Sequence, residues 1–193
     1  MGALANDQVG EFVNKHFVST YVKVGTFLLV NGQKQGGNVA TYFCLPDGSV
    51  LHAIAGPVDA NTMLFEAKWV FQVHQRASFE SGGDRNKYKE VLLKAHAERA
   101  DREYGVDRRS ITRLHNLGSQ GTNADGGSFK TINDEITMAK FKVLESQNHR
   151  IENRGKVHLL LALFPMVKVE DVYKYVFEQI LKEKVSALPV VEN

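Results

Sequence analysis

The chain has 193 residues, 43% of them hydrophobic and 24% charged, with a formal net charge of +2. Such a chain is long enough for one domain with a large appendage or two small ones, and its small net charge implies no strongly acidic or basic partner. One cysteine excludes an intrachain disulfide, and no apolar run reaches the ~18 residues of a membrane-spanning helix.

Asn6 and Asp7 open a short helix with Val9, Phe12 and Val13 as its apolar face. Residues 17–24 alternate, with Phe17, Ser19, Tyr21 and Lys23 on one side and Val18, Thr20, Val22 and Val24 on the other, which predicts a strand. Val39, Thr41 and Phe43 alternate with Ala40, Tyr42 and Cys44 in a second strand, β-branched and aromatic throughout. Pro46-Asp47-Gly48 then makes a turn: proline presets φ, aspartate bonds back to the backbone, and glycine takes a left-handed conformation. Residues 49–55 return antiparallel, and Gly56-Pro57 ends the hairpin. Asp59 caps a helix over 59–77 whose stripe is Met63, Leu64, Ala67, Val70, Phe71 and His74.

Ser81-Gly82-Gly83-Asp84 reads as C-cap, turn and new N-cap. The charged helix over 84–103 that follows has Tyr88, Val91, Leu92 and Ala95 as a narrow apolar stripe and either continues the helix over 59–77 or packs near it. Residues 117–129, rich in Gly, Ser and Asn, predict a flexible loop. Thr131 or Asn133 caps the next helix, with Ile132, Ile136, Ala139, Phe141 and Val143 to bury. The strongly apolar run 157–164 stops at Pro165. Glu170-Asp171 opens a last amphipathic helix with Val172, Tyr173, Val176, Phe177, Ile180 and Leu181 facing inward.

Asn6-Asp7-Gln8-Val9, then residues 12–18, the Pro-Asp-Gly hairpin and Ala55-Gly56-Pro57-Val58-Asp59-Ala60 together resemble the thioredoxin-like family over residues 1–77. The resemblance implies an α/β thioredoxin-like sandwich over residues 1–80, a central mixed sheet with an antiparallel hairpin, followed by a mainly helical extension over 81–193. The first strand of that fold is not visible. In the family a Cys-x-x-Cys turn precedes the first helix, and a cis-proline precedes the strand that faces it. This chain has no Cys-x-x-Cys, and Gly36-Gly37-Asn38 stands where the proline would be. The expected function is therefore a non-catalytic protein-interaction or self-association module, a homodimer included, with Gly36, Gly37 and Asn38 as its partner-facing loop. The alternative is a thiol-disulfide oxidoreductase whose cysteine pair lies upstream of Met1.

No catalytic set, cofactor site or metal site is expected from residue spacing. Cys44, the one thiol, sits mid-strand and reads as inert. His16, His52, His74, His96, His115, His149 and His158 show no metal-ligand spacing such as H-x-x-x-H. Asp125-Gly126-Gly127 lacks the regular acidic ligands of a calcium loop, and Gly32 with Gly36-Gly37 lacks the ending of a phosphate loop. Between Asp84 and Arg113, nine Lys or Arg interleave with six Asp or Glu, the pattern of a solvated helix; Arg108, Arg109 and Arg113 are the residues to mutate if nucleic acid were to bind. Residues 1–15 lack the basic start and apolar core of a signal peptide, and Asn6 stands where a myristoylation motif has Ser or Thr. A complete chain would then be cytoplasmic.

Overall fold

The structure, a computed structural model, describes residues 2–22, 28–30, 33–35, 38–118, 135–147, 151–183 and 185. A single 3-10 turn (Ala3–Ala5) leads into α1 (Asp7–His16). Two short strands follow, β1 (Leu28–Val30) and β2 (Gln33–Gln35), then the hairpin of β3 (Ala40–Cys44) and β4 (Val50–Ala55). The rest is helical: α2 (Ala60–Ser81), α3 (Arg85–Tyr104), α4 (Arg108–Gly118), α5 (Glu135–Gln147), α6 (Asn153–Leu163) and α7 (Val169–Tyr175), which continues as a π-type turn over Val176–Ile180. No described helix is long and apolar enough to cross a membrane.

The thioredoxin-like sandwich expected from the sequence is not formed. The described strands make two separate two-stranded antiparallel ladders, β1 with β2 and β3 with β4, and no central mixed sheet. A mixed sheet needs a further strand laid parallel beside the hairpin. Among the described residues of the predicted strand over 17–24, 17–22 are not strand, and Val18, Tyr21 and Val22 are 100%, 91% and 78% exposed. β-propensity is largely packing against a neighbouring surface, and alternation without such a surface does not make a strand. Lys23 and Val24 lie outside the described residues, as do Gly36, Gly37, Thr131, Ile132, Asn133 and residues 119–129 of the expected loop.

Helices take the place of the missing strands. All six residues of β4 are buried, and α2 and α6 both pack on it. Val50, Ala53 and Ala55 join a core made with Ala97, Ala100, Phe141, Leu160 and Val176. Leu51 and Ile54 join another, with Val9, Met63, Ala67, Val70 and Leu92. β4 is thus buried between α2 and α6, while β3 stays half-buried apart from Phe43.

Local chemistry sets the boundaries. Asp47 accepts from the Ser49 N–H at 2.9 Å, and Gly48 takes φ 79° in the turn between β3 and β4. Asp59 accepts from the Thr62 N–H at 2.7 Å at the start of α2. Gly82, at φ 56°, ends α2, and Asp84 caps α3 through the Asn86 and Lys87 N–H groups. Every residue from Val157 to Leu163 is buried, so α6 is apolar nearly all round and forms the central helix of the molecule.

Candidate metal centre

Four elements aim polar side chains at one buried point. β4 supplies His52, α2 supplies Glu66, α3 supplies His96 and Arg99, and α6 supplies His158; all five are at most 2% exposed. Each histidine stands alone in an apolar stretch: His52 in Val50–Ala55, His96 beside Leu92 and Ala95, His158 between Val157 and Leu159. Glu66 lies on the buried face of α2 between Met63 and Ala67. The indole of Trp69 meets all three imidazoles edge-on, with ring centroids 4.9 to 5.2 Å apart.

Arg99 grips Glu66 with two bonds, Nη1 to Oε2 at 2.6 Å and Nη2 to Oε1 at 2.7 Å. It donates a third through Nε to Glu103, and its guanidinium lies over the rings of Phe65 and Trp69. Burial pushes the Glu66 carboxyl up, but the bonds from His52 and Arg99 outweigh it and hold its pKa at about 2. Glu66 is therefore an ion at neutral pH and can only accept.

That fixes the protons on the imidazoles. His52 Nε2 is 3.0 Å from Glu66 Oε2, so Nε2 carries the hydrogen and Nδ1 is a bare lone pair. His96 Nε2 is 2.9 Å from the carbonyl oxygen of Leu51, so it too donates from Nε2 and leaves Nδ1 as an acceptor. His158 Nδ1, 2.8 Å from His96 Nδ1, must then be the donor, which leaves His158 Nε2 bare. Among the described residues three buried side-chain polar atoms lack a hydrogen-bond partner, and two of them are His52 Nδ1 and His158 Nε2. Burial holds all three imidazoles neutral: it lowers His52 against the pull of Glu66, takes His96 to about 3 with help from His52, and lowers His158 well below its ordinary value.

One ring nitrogen from each histidine falls within 4.8 Å of the others. A tetrahedral ion with bonds of ~2.0–2.1 Å sets its nitrogens roughly 3.3 Å apart, so small ring movements would seat one. The donor set fits a transition metal better than magnesium or calcium, because imidazole nitrogen is a borderline-soft ligand and both Glu66 oxygens are already engaged. His52 and His96 have the outer contacts of metal-bound histidines, whose second ring nitrogen donates to a carboxylate or a carbonyl; His158 donates instead to His96 Nδ1, a bond the ion would replace.

The residues singled out from sequence lie elsewhere. Asn38 is half-buried and turned onto its own chain: its backbone N–H and side-chain amide both donate to Glu183, at 2.9 and 3.0 Å. Cys44 is partly buried, and burial, with Asp47 and Glu170 nearby, pushes its thiol up to about 11. Arg108 pairs with Glu98 at 3.6 Å, and Arg109 and Arg113 are exposed.

Spacing rules missed the centre because its members come from four separate elements. A usable signal was present: one polar residue in each of several apolar faces, which burial forces to find partners. A cleft of about 410 Å³ lies beside the centre, lined by Phe65, Arg99, Glu103, Tyr104, Glu152 and Arg154. No family model, no curated protein and no solved structure matches this chain.

Proposed function

We propose that this protein binds one transition-metal ion, zinc by ligand preference, through His52, His96 and His158. The observation that carries the reading is the pair of bare, buried imidazole nitrogens, His52 Nδ1 and His158 Nε2, in a cluster of three histidines that each bring one ring nitrogen within 4.8 Å of the others. A buried lone pair without a donor is costly, and a cation is the partner that satisfies several at once. Glu66 and the Leu51 carbonyl hold the opposite nitrogens of His52 and His96, so two of the three rings are already oriented. Three neutral imidazoles leave a bound divalent ion its charge and an open coordination position, chemistry that polarises a water or a carbonyl oxygen.

The test is titration of metal-free protein with Zn²⁺ by calorimetry and with Co²⁺ by visible absorption. One equivalent should bind, raise the thermal midpoint, and give the intense bands of tetrahedral cobalt. His52→Ala, His96→Ala and His158→Ala should each lose affinity by about 100-fold or more, and Glu66→Gln by about 10- to 100-fold. Folded wild-type protein that takes up neither ion would leave a hydrogen-bonded histidine cluster with a purely structural role, and the reading would be wrong.

A further inference from the structure

We infer that Tyr104 is the door of the three-histidine centre, and that ions and small ligands reach His158 from the cleft when its ring swings away; this rests on the metal-binding reading above. The three imidazoles are at most 2% exposed, so something must move before an ion can reach them. Three residues line the cleft and also touch the centre: Arg99 and Arg154, both at Glu66, and Tyr104, at His158. Arg154 reaches Glu66 Oε1 at 4.0 Å from the rim, where it also pairs with Glu152, whereas Tyr104 lies beside an imidazole.

Arg99 is unfit to move. It is held by Glu66 and Glu103 and lies over two aromatic rings, and its departure would uncover a buried carboxylate. Tyr104 is placed the opposite way. Its ring lies beside His158, centroids 6.0 Å apart and planes 27° from parallel, next to the imidazole that carries one of the bare nitrogens. Its hydroxyl makes no hydrogen bond to another described residue. It is also the last residue of α3, followed by Gly105 at φ 69°, and the final turn of a helix opens at little cost.

The seat of the ring is cut into α6. A Cβ built on Gly155 would stand 2.7 and 2.9 Å from Tyr104 ring atoms, and 2.5 Å from Ile151 Cγ2. The ring therefore rests against helix backbone at Gly155, one turn before His158 on the same face. A side chain at 155 would push the ring off that seat.

The experiment is stopped-flow loading of metal-free protein with Co²⁺, and unimolecular release of the bound ion to a chelator. Tyr104→Ala should load and release at least about tenfold faster than wild type, the effect of ~1.4 kcal/mol on the barrier, with the tetrahedral bands unchanged. Tyr104→Phe, which keeps the ring, should match wild type. Gly155→Ala, which leaves Tyr104 itself intact, should also load faster. Should Tyr104→Ala lose its helical circular dichroism, Tyr104→Leu is read by the same criterion. Cobalt bands that develop at wild-type rate in the Tyr104→Ala or Tyr104→Leu protein overturn the door while leaving the metal centre standing. No bands in the wild type overturn both.

Discussion

Leu160 and His158 lie two residues apart on α6, both fully buried, yet they are held by different physics. Leu160 sits in an apolar cluster that includes residues of β4, α3 and α5, and any well-shaped hydrophobic side chain satisfies such a setting. Around His158 each partner is directional. His158 depends on His96, His96 on the Leu51 carbonyl, His52 on Glu66, and Glu66 on Arg99. The apolar region tolerates change in proportion to volume, whereas in the polar region one deletion strands a charge or a donor.

The largest effect should come from Arg99→Ala, which leaves Glu66 buried without its cation. A loss of about 3–5 kcal/mol is expected in urea unfolding. Because the two residues form one unit, Glu66→Ala and Arg99→Ala combined should cost clearly less than the sum of the single changes. Additive costs would mean that the pair is not a unit.

Leu160→Ala should cost about 2–5 kcal/mol, from lost apolar transfer and the cavity left behind. Its penalty should be the same at pH 7 and pH 5, since no titrating group is removed. A penalty that changes with pH would show that the two regions are coupled.

Acid should act on the polar region and leave the apolar region around Leu160 unchanged. The native imidazoles stay neutral, with His96 taken to about 3, while an unfolded histidine takes a proton near 6.5. The unfolded chain therefore binds more protons in this window, and stability falls as the pH drops from about 6.5 toward 3. The expected slope is up to ~1.4 kcal/mol per pH unit for each histidine. Glu66, held at about 2 against an ordinary 4.5, adds a further loss below about pH 4.5, in the same direction. A thermal midpoint that stays flat between pH 7 and pH 5 would contradict this.

The smallest effect tests local structure. Asp59→Ala removes the cap of α2 and should cost about 1 kcal/mol, with little change at the histidine centre. An Asp59→Ala protein with altered imidazole resonances in NMR spectra would tie the helix start to the centre.

Much of the secondary structure was legible because its causes are local. The turn at Pro46-Asp47-Gly48, the cap at Asp59, the Gly82–Asp84 break and the stripe Tyr88, Val91, Leu92 and Ala95 all stand where the sequence puts them. Val172, Val176, Phe177 and Ile180 are buried at the end of the chain as their spacing predicts. The alternation over 17–22 misled, because a two-residue period fits any extended segment and does not supply a neighbouring strand. Glu66 was passed over for the same kind of reason: its position on the apolar stripe of α2 was visible, but its partner Arg99 lies a helix away.

What the sequence determined by itself was where α1, α2 and α3 start and which of their faces turn inward, since caps, turns and periodicity act over a few residues; α4 was not foreseen, and Ala139 and Val143 of α5, expected to be buried, are exposed. Only the tertiary structure decided that helices, and not further strands, cover the hairpin, and that His52, His96 and His158 meet beside Glu66 and Arg99. The physical reason is range. Burial makes each lone polar residue seek a partner, but which partner it meets depends on how β4, α2, α3 and α6 pack together, and no local spacing encodes that.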